Sequence, residues 1–271
     1  MDYSKLFPDN RTEANTPLRQ AQLVMLRMLK IIDYICRKHN LGYWLCSGTL
    51  LGAVRHKGFI PWDDDFDVGM MRKDYERLKL ILKENFKSID ISKISVSKGN
   101  SIQVIDSALK NSNGEILYYN GPKYTQIYQG ESFKNCRLIE VFPHEYYKDE
   151  YTLTEYKKYM STIKNQLGLI DSWQDMTDFL NLEIKNNKNV ANKSSFIYYG
   201  VDSLGSYIVN PTGPMSQDMI FPRKKVKFED YEFWAPNDPD GYIRVQYPDY
   251  WNFPSNFSIA PLLEIKTKQK S

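Results

Sequence analysis

Ile60-Pro61-Trp62-Asp63-Asp64-Asp65-Phe66-Asp67-Val68 places four carboxylates within five residues and ends in an apolar alternation. Like charges this close repel, so a fold that keeps them partly buried needs a compensating cation. Read as a strand from Phe66 to Met70, the stretch turns Asp65 and Asp67 to one face and Phe66 and Val68 into the core. Two carboxylates at i and i+2 suit one Mg²⁺ or a bridge between two, because hard oxygen ligands leave sites for water and phosphate oxygens. An acidic solvated loop, or a Ca²⁺ loop, is the competing reading of the same letters.

Working outward, Ser47-Gly48-Thr49 reads as a small-residue turn between a buried strand, Tyr43 to Cys46, and a short helix through Val54. Its backbone amides are suited to cradling a phosphate at a helix amino terminus. Downstream, Glu140 lies between Ile139 and Val141 in a short strand expected from Arg137 to Phe142. An acid flanked by buried positions is costly unless it faces a metal or a cation, which makes Glu140 the candidate third ligand.

Around this nucleus the helical periodicities are plain. Thr16 before Pro17 is an N-cap with proline in the first turn, and apolar residues from Leu18 to Ile35 recur at three- and four-residue steps. Helices are also expected over Arg72 to Asn85, Thr152 to Leu167 and Trp173 to Asn187. The first 15 residues are polar and expected to be irregular. Residues 92–128 read as a hairpin excursion with turns at Asn113-Gly114 and Asn120-Gly121, and Lys224 to Phe228 pairs with Tyr231 to Ala235 across Glu229-Asp230. The whole, residues 1–271, reads as a single α/β domain, with a core over about 17–150 and a helical and hairpin appendage over about 151–271.

Composition limits the function. The 271 residues are 42% hydrophobic and 25% charged, which excludes a disordered or collagen-like chain. With 36 basic against 33 acidic residues, the net charge of +3 is too balanced for a dedicated nucleic-acid binder. Cys36, Cys46 and Cys136 have no CxxC spacing and no histidine cluster, so neither structural zinc nor a disulfide framework is expected. The amino terminus carries charges where a secretion signal needs an apolar stretch, and no run reaches the ~18 apolar residues of a membrane span. A cytoplasmic protein is expected, with the basic tail at Lys266, Lys268 and Lys270 available for weak contact with anionic lipid at the inner face of the membrane.

The continuous run from Ser47 to Gly69, SGTLLGAVRHKGFIPWDDDFDVG, resembles the signature of the LicD family of phosphotransferases, a branch of the nucleotidyltransferase superfamily that includes the fukutin-related proteins. The likeness continues at Arg72-Lys73-Asp74-Tyr75-Glu76, Ile139-Glu140-Val141-Phe142-Pro143, Phe221 to Glu229, and Tyr247-Pro248-Asp249-Tyr250-Trp251 before Pro254. It implies an α/β (α+β) fold with a nucleotidyltransferase-like mixed sheet flanked by helices. It implies that Asp65 and Asp67 are metal ligands, with Gly48 and Thr49 near nucleotide phosphates. Most relatives carry Asp where this chain has Glu140, and many carry Glu-Gly where it has Glu229-Asp230.

The implied activity is Mg²⁺-dependent transfer of a phospho-alcohol, phosphocholine in the best-known bacterial members, from a CDP-linked donor to a sugar hydroxyl of a surface polysaccharide or teichoic-acid precursor. Mn²⁺ is the alternative ion. CDP-ribitol, CDP-glycerol and phosphoethanolamine donors are alternatives, and so are nucleotidyl transfer proper and a non-catalytic glycan-binding role. Arg55 offers a bidentate fork for the donor diphosphate or a structural counter-charge to the acids. His56 suits a proton shuttle or a structural hydrogen bond, and Lys57, with Arg55 and His56, is a candidate contact to the donor diphosphate or the departing nucleotide. Trp62 suits stacking on a base or sugar, or anchoring the loop by packing. Asp63, Asp64 or one of the ligand acids is the candidate proton acceptor, Asp64 also a substrate contact, and Lys225 either approaches phosphate or is a solvated strand charge. Tyr118, Tyr119, Trp173, Trp234, Tyr250 and Trp251 are rings available to a choline headgroup.

Overall fold

The structure is a computed structural model that describes residues 3–89, 115–121, 123–129, 139–203 and 214–252, and the backbone of 94–96, 102–104 and 137–138. The turn at Asn113-Gly114, Cys136, Pro254 and the basic tail lie outside the described residues. The helices are α1 (Tyr3–Leu6), α2 (Pro17–Lys38), α3 (Ser47–Arg55), α4 (Arg72–Asn85), α5 (Leu153–Leu167), α6 (Trp173–Asn186), α7 (Gln217–Ile220) and α8 (Pro239–Gln246). The strands are β1 (Trp44–Leu45), β2 (Asp65–Met71), β3 (Lys87–Ser88), β4 (Ile94–Val96), β5 (Ile102–Val104), β6 (Ile116–Asn120), β7 (Thr125–Gln129), β8 (Arg137–Tyr147), β9 (Val190–Ala191), β10 (Phe196–Tyr199), β11 (Met215–Ser216), β12 (Lys224–Phe228) and β13 (Tyr231–Ala235).

The main sheet is mixed, in the order β1-β2-β8-β7-β6-β3, with β9 and β10 joined to β8 and β11 to β10. Strands β2 and β8 run parallel, while β1 and β7 are antiparallel to their neighbours. One face buries Phe66, Val68 and Met70 of β2 together with Ile139 and Val141 of β8, and α2 and α4 both pack against this strand pair. The opposite face at this level carries acids. The expected mixed sheet flanked by helices is therefore present. No helix among the described residues is long and apolar enough to cross a membrane.

Local chemistry explains the helix starts. Thr16 accepts the Arg19 N–H and Pro17 occupies the first turn, while Thr152 and Glu155 form a reciprocal capping box on α5. At three places the structure departs from the sequence reading. The amino-terminal residues are not wholly irregular: Tyr3 stacks on Phe86 at 5.6 Å and Phe7 meets Tyr34 edge-on at 6.1 Å, an i, i+4 pair that anchors α1. Ser47-Gly48-Thr49 is not a turn ahead of α3 but its first turn. Only Cys46 separates β1 from α3, whose first residue, Ser47, adopts φ 45°.

The third departure is β8, which continues through Pro143 to Tyr147 instead of ending at Phe142. Proline lacks a donor and normally interrupts a sheet interior. Here β7 pairs with β8 only as far as Val141, and β10 takes over from His144. The Pro143 carbonyl faces that side, accepting from Gly200 N–H at 2.8 Å, and the missing N–H therefore falls in the gap between two partner strands. No ladder bond is lost.

Candidate metal centre

Register brings the three acids together. Asp67 of β2 lies directly beside Glu140 of β8, and Asp65 sits two residues before Asp67 on the same face. One oxygen from each of Asp65, Asp67 and Glu140 lies within 4.8 Å of the others. These groups come from two parallel strands that adjoin only in the folded chain. Asp67 and Glu140 are buried, and Asp65 is half-buried at the rim.

Helix α3 holds the centre from one side. The Thr49 hydroxyl accepts the Asp67 backbone N–H at 2.7 Å, Cys46 N–H donates to the Asp67 carbonyl at 3.1 Å, and the Gly48 amide supports the Asp67 carboxylate. A Cβ at Gly48 would stand 3.3 Å from an Asp63 carboxylate oxygen, so a side chain there would require Asp63 to shift by a few tenths of an ångström. We expect Thr49→Val, nearly isosteric, to leave the buried Asp67 N–H unsatisfied and to lower stability by about 1–3 kcal/mol. Urea unfolding checks this, and an unchanged midpoint would show that the latch contributes nothing.

The electrostatics call for a cation. Burial pushes the Asp65 carboxyl well above the usual carboxylate range, and Asp63, Glu140 and Asp64 add to the push. Asp67 moves the same way through burial, Asp65 and Glu140, against which the Gly48 amide works. Asp63 is pushed up to about 7 by burial and by Asp64. Among the described residues, Asp67 Oδ1 is buried with no hydrogen-bond partner. Three convergent carboxylates, one of them with a buried unpartnered oxygen, fit a divalent cation that takes carboxylate ligands.

Behind the acids stands an aromatic wall. Trp44 Nε1 donates to Tyr242 Oη at 3.2 Å, Tyr242 meets His144 Nε2 at 3.4 Å, and His144 Nδ1 meets the Phe142 carbonyl at 3.0 Å. The carbonyl can only accept, so Nδ1 carries the proton and Nε2 accepts from Tyr242. Burial lowers His144 to about 3 and keeps it neutral. Gly69 lets the indole lie close over β2, since a Cβ would come within 2.6 Å of Trp44 Nε1.

The other sequence candidates are placed as follows. Arg55 meets His56 Nε2 at 3.0 Å and donates to the Tyr250 carbonyl at 2.5 Å, tying α3 to the segment after α8. Burial, with the Arg55 charge beside it, lowers His56. Lys57 is exposed at φ 59°, and its carbonyl accepts the Glu229 N–H at 2.7 Å. Trp62 and Asp64 are half-buried, with Trp62 packed at the edge of the core. Lys225 lies 3.6 Å from Asp33 and 4.5 Å over the Trp234 ring, with Arg223 over the same ring at 5.1 Å, so these cations already engage that indole. Cys46 is buried and its thiol is raised well above the usual range by burial, which makes it a packing residue.

Sequence reasoning missed Gln126, which donates to Glu140 Oε1 at 2.9 Å, Tyr124, whose hydroxyl also bonds Glu140, and Gln22, whose amide holds the Asp63 carbonyl at 3.1 Å. A signal existed for the first two: Tyr124, Gln126 and Tyr128 alternate with the buried Thr125 and Ile127, the pattern of a strand with one polar face.

Residues 40–162 match the family described as LicD/FKTN/FKRP, nucleotidyltransferase domain. The lipopolysaccharide cholinephosphotransferase LicD of Haemophilus influenzae is 53% identical over 60 residues, 22% of this chain and 23% of that protein. The uncharacterized protein RT0683 of Rickettsia typhi is 25% identical over 253 residues, 92% of this chain and 55% of that protein. Human ribitol 5-phosphate transferase FKRP is 56% identical over 32 residues, 12% of this chain and 6% of that protein. The aligned parts span only 23% to 55% of the bacterial relatives' lengths. The run through residues 47–69 and the acids on adjoining parallel strands both fall within residues 40–162, the part of the chain that is similar to the LicD family.

Proposed function

We propose that the chain transfers a phospho-alcohol, phosphocholine as the first candidate, from a CDP-linked donor to a sugar hydroxyl of a polysaccharide or teichoic-acid precursor. The observation that carries this reading is the Asp65, Asp67 and Glu140 cluster with its unpartnered Asp67 oxygen. The relatives named for cholinephosphate and ribitol 5-phosphate transfer support the reaction class and differ in the alcohol. Mg²⁺ held by the three acids, or Mn²⁺ in its place, would neutralise charge on the donor diphosphate and on the leaving nucleotide.

The chain's own residues do the rest. Thr49 and Gly48 fix Asp67, Gln22 holds the backbone of the acid loop, and the aromatic wall backs the acids. The acceptor oxygen forms its bond to the β-phosphorus as the bond to the CMP oxygen breaks, and CMP departs with that electron pair. Asp63 or Asp64, outside the triad, takes the hydroxyl proton.

A thermal-shift screen of CDP-choline, CDP-ribitol, CDP-glycerol and CDP-ethanolamine, with and without Mg²⁺, selects the donor, since binding to the native state alone raises the melting temperature. Phosphorus NMR of the selected reaction should then show CMP and a new phosphodiester on the acceptor. A nucleotidylated acceptor with released phospho-alcohol would instead establish nucleotidyl transfer. Absence of any Mg²⁺-dependent nucleotide binding would favour a glycan-binding role without catalysis.

A further inference from the structure

Asp67 and Glu140 are secured in different ways. Asp67 is short, and its backbone and carboxylate are held by α3. Glu140 has one more torsion to fix, and it is braced from the neighbouring strand β7. Gln126 sits opposite Glu140 in the antiparallel register, Gln126 and Tyr128 share the face of β7 on the side of the acids, and Tyr124 directly precedes the strand. Gln126 Nε2 donates to Glu140 Oε1 at 2.9 Å, and the Tyr128 hydroxyl donates to Gln126 Oε1 at 2.8 Å. Gln126 and Tyr128 are buried, and Tyr124 adds its own hydrogen bond to Glu140.

The direction of this chain is fixed by chemistry. An ionised carboxylate can only accept, so the amide must present its NH₂ to Glu140 and its oxygen to Tyr128. The Tyr128 hydroxyl then has to donate, which locks the amide against flipping. A neutral donor is suited to this place. It satisfies one carboxylate oxygen without adding a charge, either another acid that would repel or a cation that would compete with a metal for the triad.

We propose that Gln126 is a positioning residue which, with Tyr128 behind it, holds the Glu140 carboxylate in the geometry needed to bind a divalent cation beside Asp65 and Asp67. The proposal rests on the reading of these three acids as a metal site. It does not require that the transferred group be known.

The test uses Mn²⁺ alone as the probe and its electron paramagnetic resonance signal as the readout, on the full chain at equilibrium. Gln126→Met preserves length and bulk but removes the donor, and Tyr128→Phe removes only the lock. Expected results are a 10- to 100-fold weaker Mn²⁺ affinity in Gln126→Met, the range typical of lost outer-shell support, and a smaller loss in the same direction in Tyr128→Phe. A folded Gln126→Met protein with Mn²⁺ affinity within about twofold of wild type would overturn the proposal, because a space-filling role predicts that result. Should the Met variant not fold, Tyr128→Phe decides by the same criterion. Wild-type protein that takes up no Mn²⁺ would overturn the metal reading itself, whereas wild-type uptake that is lost in Asp67→Asn and unchanged in Gln126→Met overturns the positioning role alone.

Discussion

Asp67→Asn should reduce turnover by about three orders of magnitude while leaving a folded protein that, free of metal, melts several degrees above wild type. The loss of activity follows, on the proposed reading, from removing a candidate metal ligand whose Oδ1 has no hydrogen-bond partner. Electrostatic stabilisation by a bound ion is worth several kcal/mol, and each 1.36 kcal/mol is a factor of ten in rate. The gain in stability follows from the direction of the carboxyl shifts. Burial and mutual repulsion raise Asp65, Asp67 and Asp63 above their unfolded values, so the folded state holds protons that the unfolded state releases. That stabilisation is fully present below the ordinary carboxylate range near ~4 and is lost as pH rises through the raised folded values, which for Asp63 lie at about 7. Wild-type protein in chelator should therefore lose stability between about pH 4 and pH 7, and the Asp67→Asn substitution should flatten part of that slope. Calorimetric melts over the pH range, with activity measured in parallel, check both halves. An Asp67→Asn protein with wild-type turnover would remove Asp67 from the chemistry.

The second large effect is expected at Gly69→Ala. The added methyl would stand 2.6 to 2.9 Å from Trp44 and His144, two rings that are themselves buried and hydrogen-bonded to Tyr242. Neither ring has room to retreat without breaking the wall. Overpacking of this kind costs about 3 kcal/mol at the upper end of the usual range. Because Trp44 pairs with Gly69 across β1 and β2, the strain acts on the strand that carries Asp67 two residues earlier. Urea unfolding of Gly69→Ala, Trp44→Leu and the double variant gives the coupling directly. The double variant should be less destabilised than the sum of the singles, and strict additivity would show that the indole is not what demands glycine.

The acid centre was legible because its signals are local. Alternation in Asp65-Phe66-Asp67-Val68 fixes which side chains share a face, and Glu140 between Ile139 and Val141 carries the same signature of an acid inside an apolar strand. The α2 cap at Thr16, the bounds of α4 and the β12–β13 hairpin followed from similar short-range rules. What the letters did not disclose depends on partners distant in the chain. The alternation in β7 marks a strand but not its neighbour, and the role of Gln126 exists only because antiparallel register sets it opposite Glu140. The pull of Asp33 on Lys225 needed the hairpin to be docked on α2 before it could be seen. The extension of β8 through Pro143 was hidden for a related reason: the rule against proline in a sheet interior fails where the neighbouring strand changes, and that change is made by residues more than fifty positions later.

The parallel pairing of β2 with β8 also bears on the order in which the molecule assembles. Asp67 and Glu140 are remote in the unfolded chain and feel little of one another there, so their repulsion arises only when the long loop between them closes. Non-local closure is already the slow class of folding event, and here it must also gather negative charge into a desolvated corner. The pairing that gathers the acids and the kinetic obstacle are thus the same contact. A divalent ion that screens the acids as they meet would act on the rate of folding as well as on the finished site.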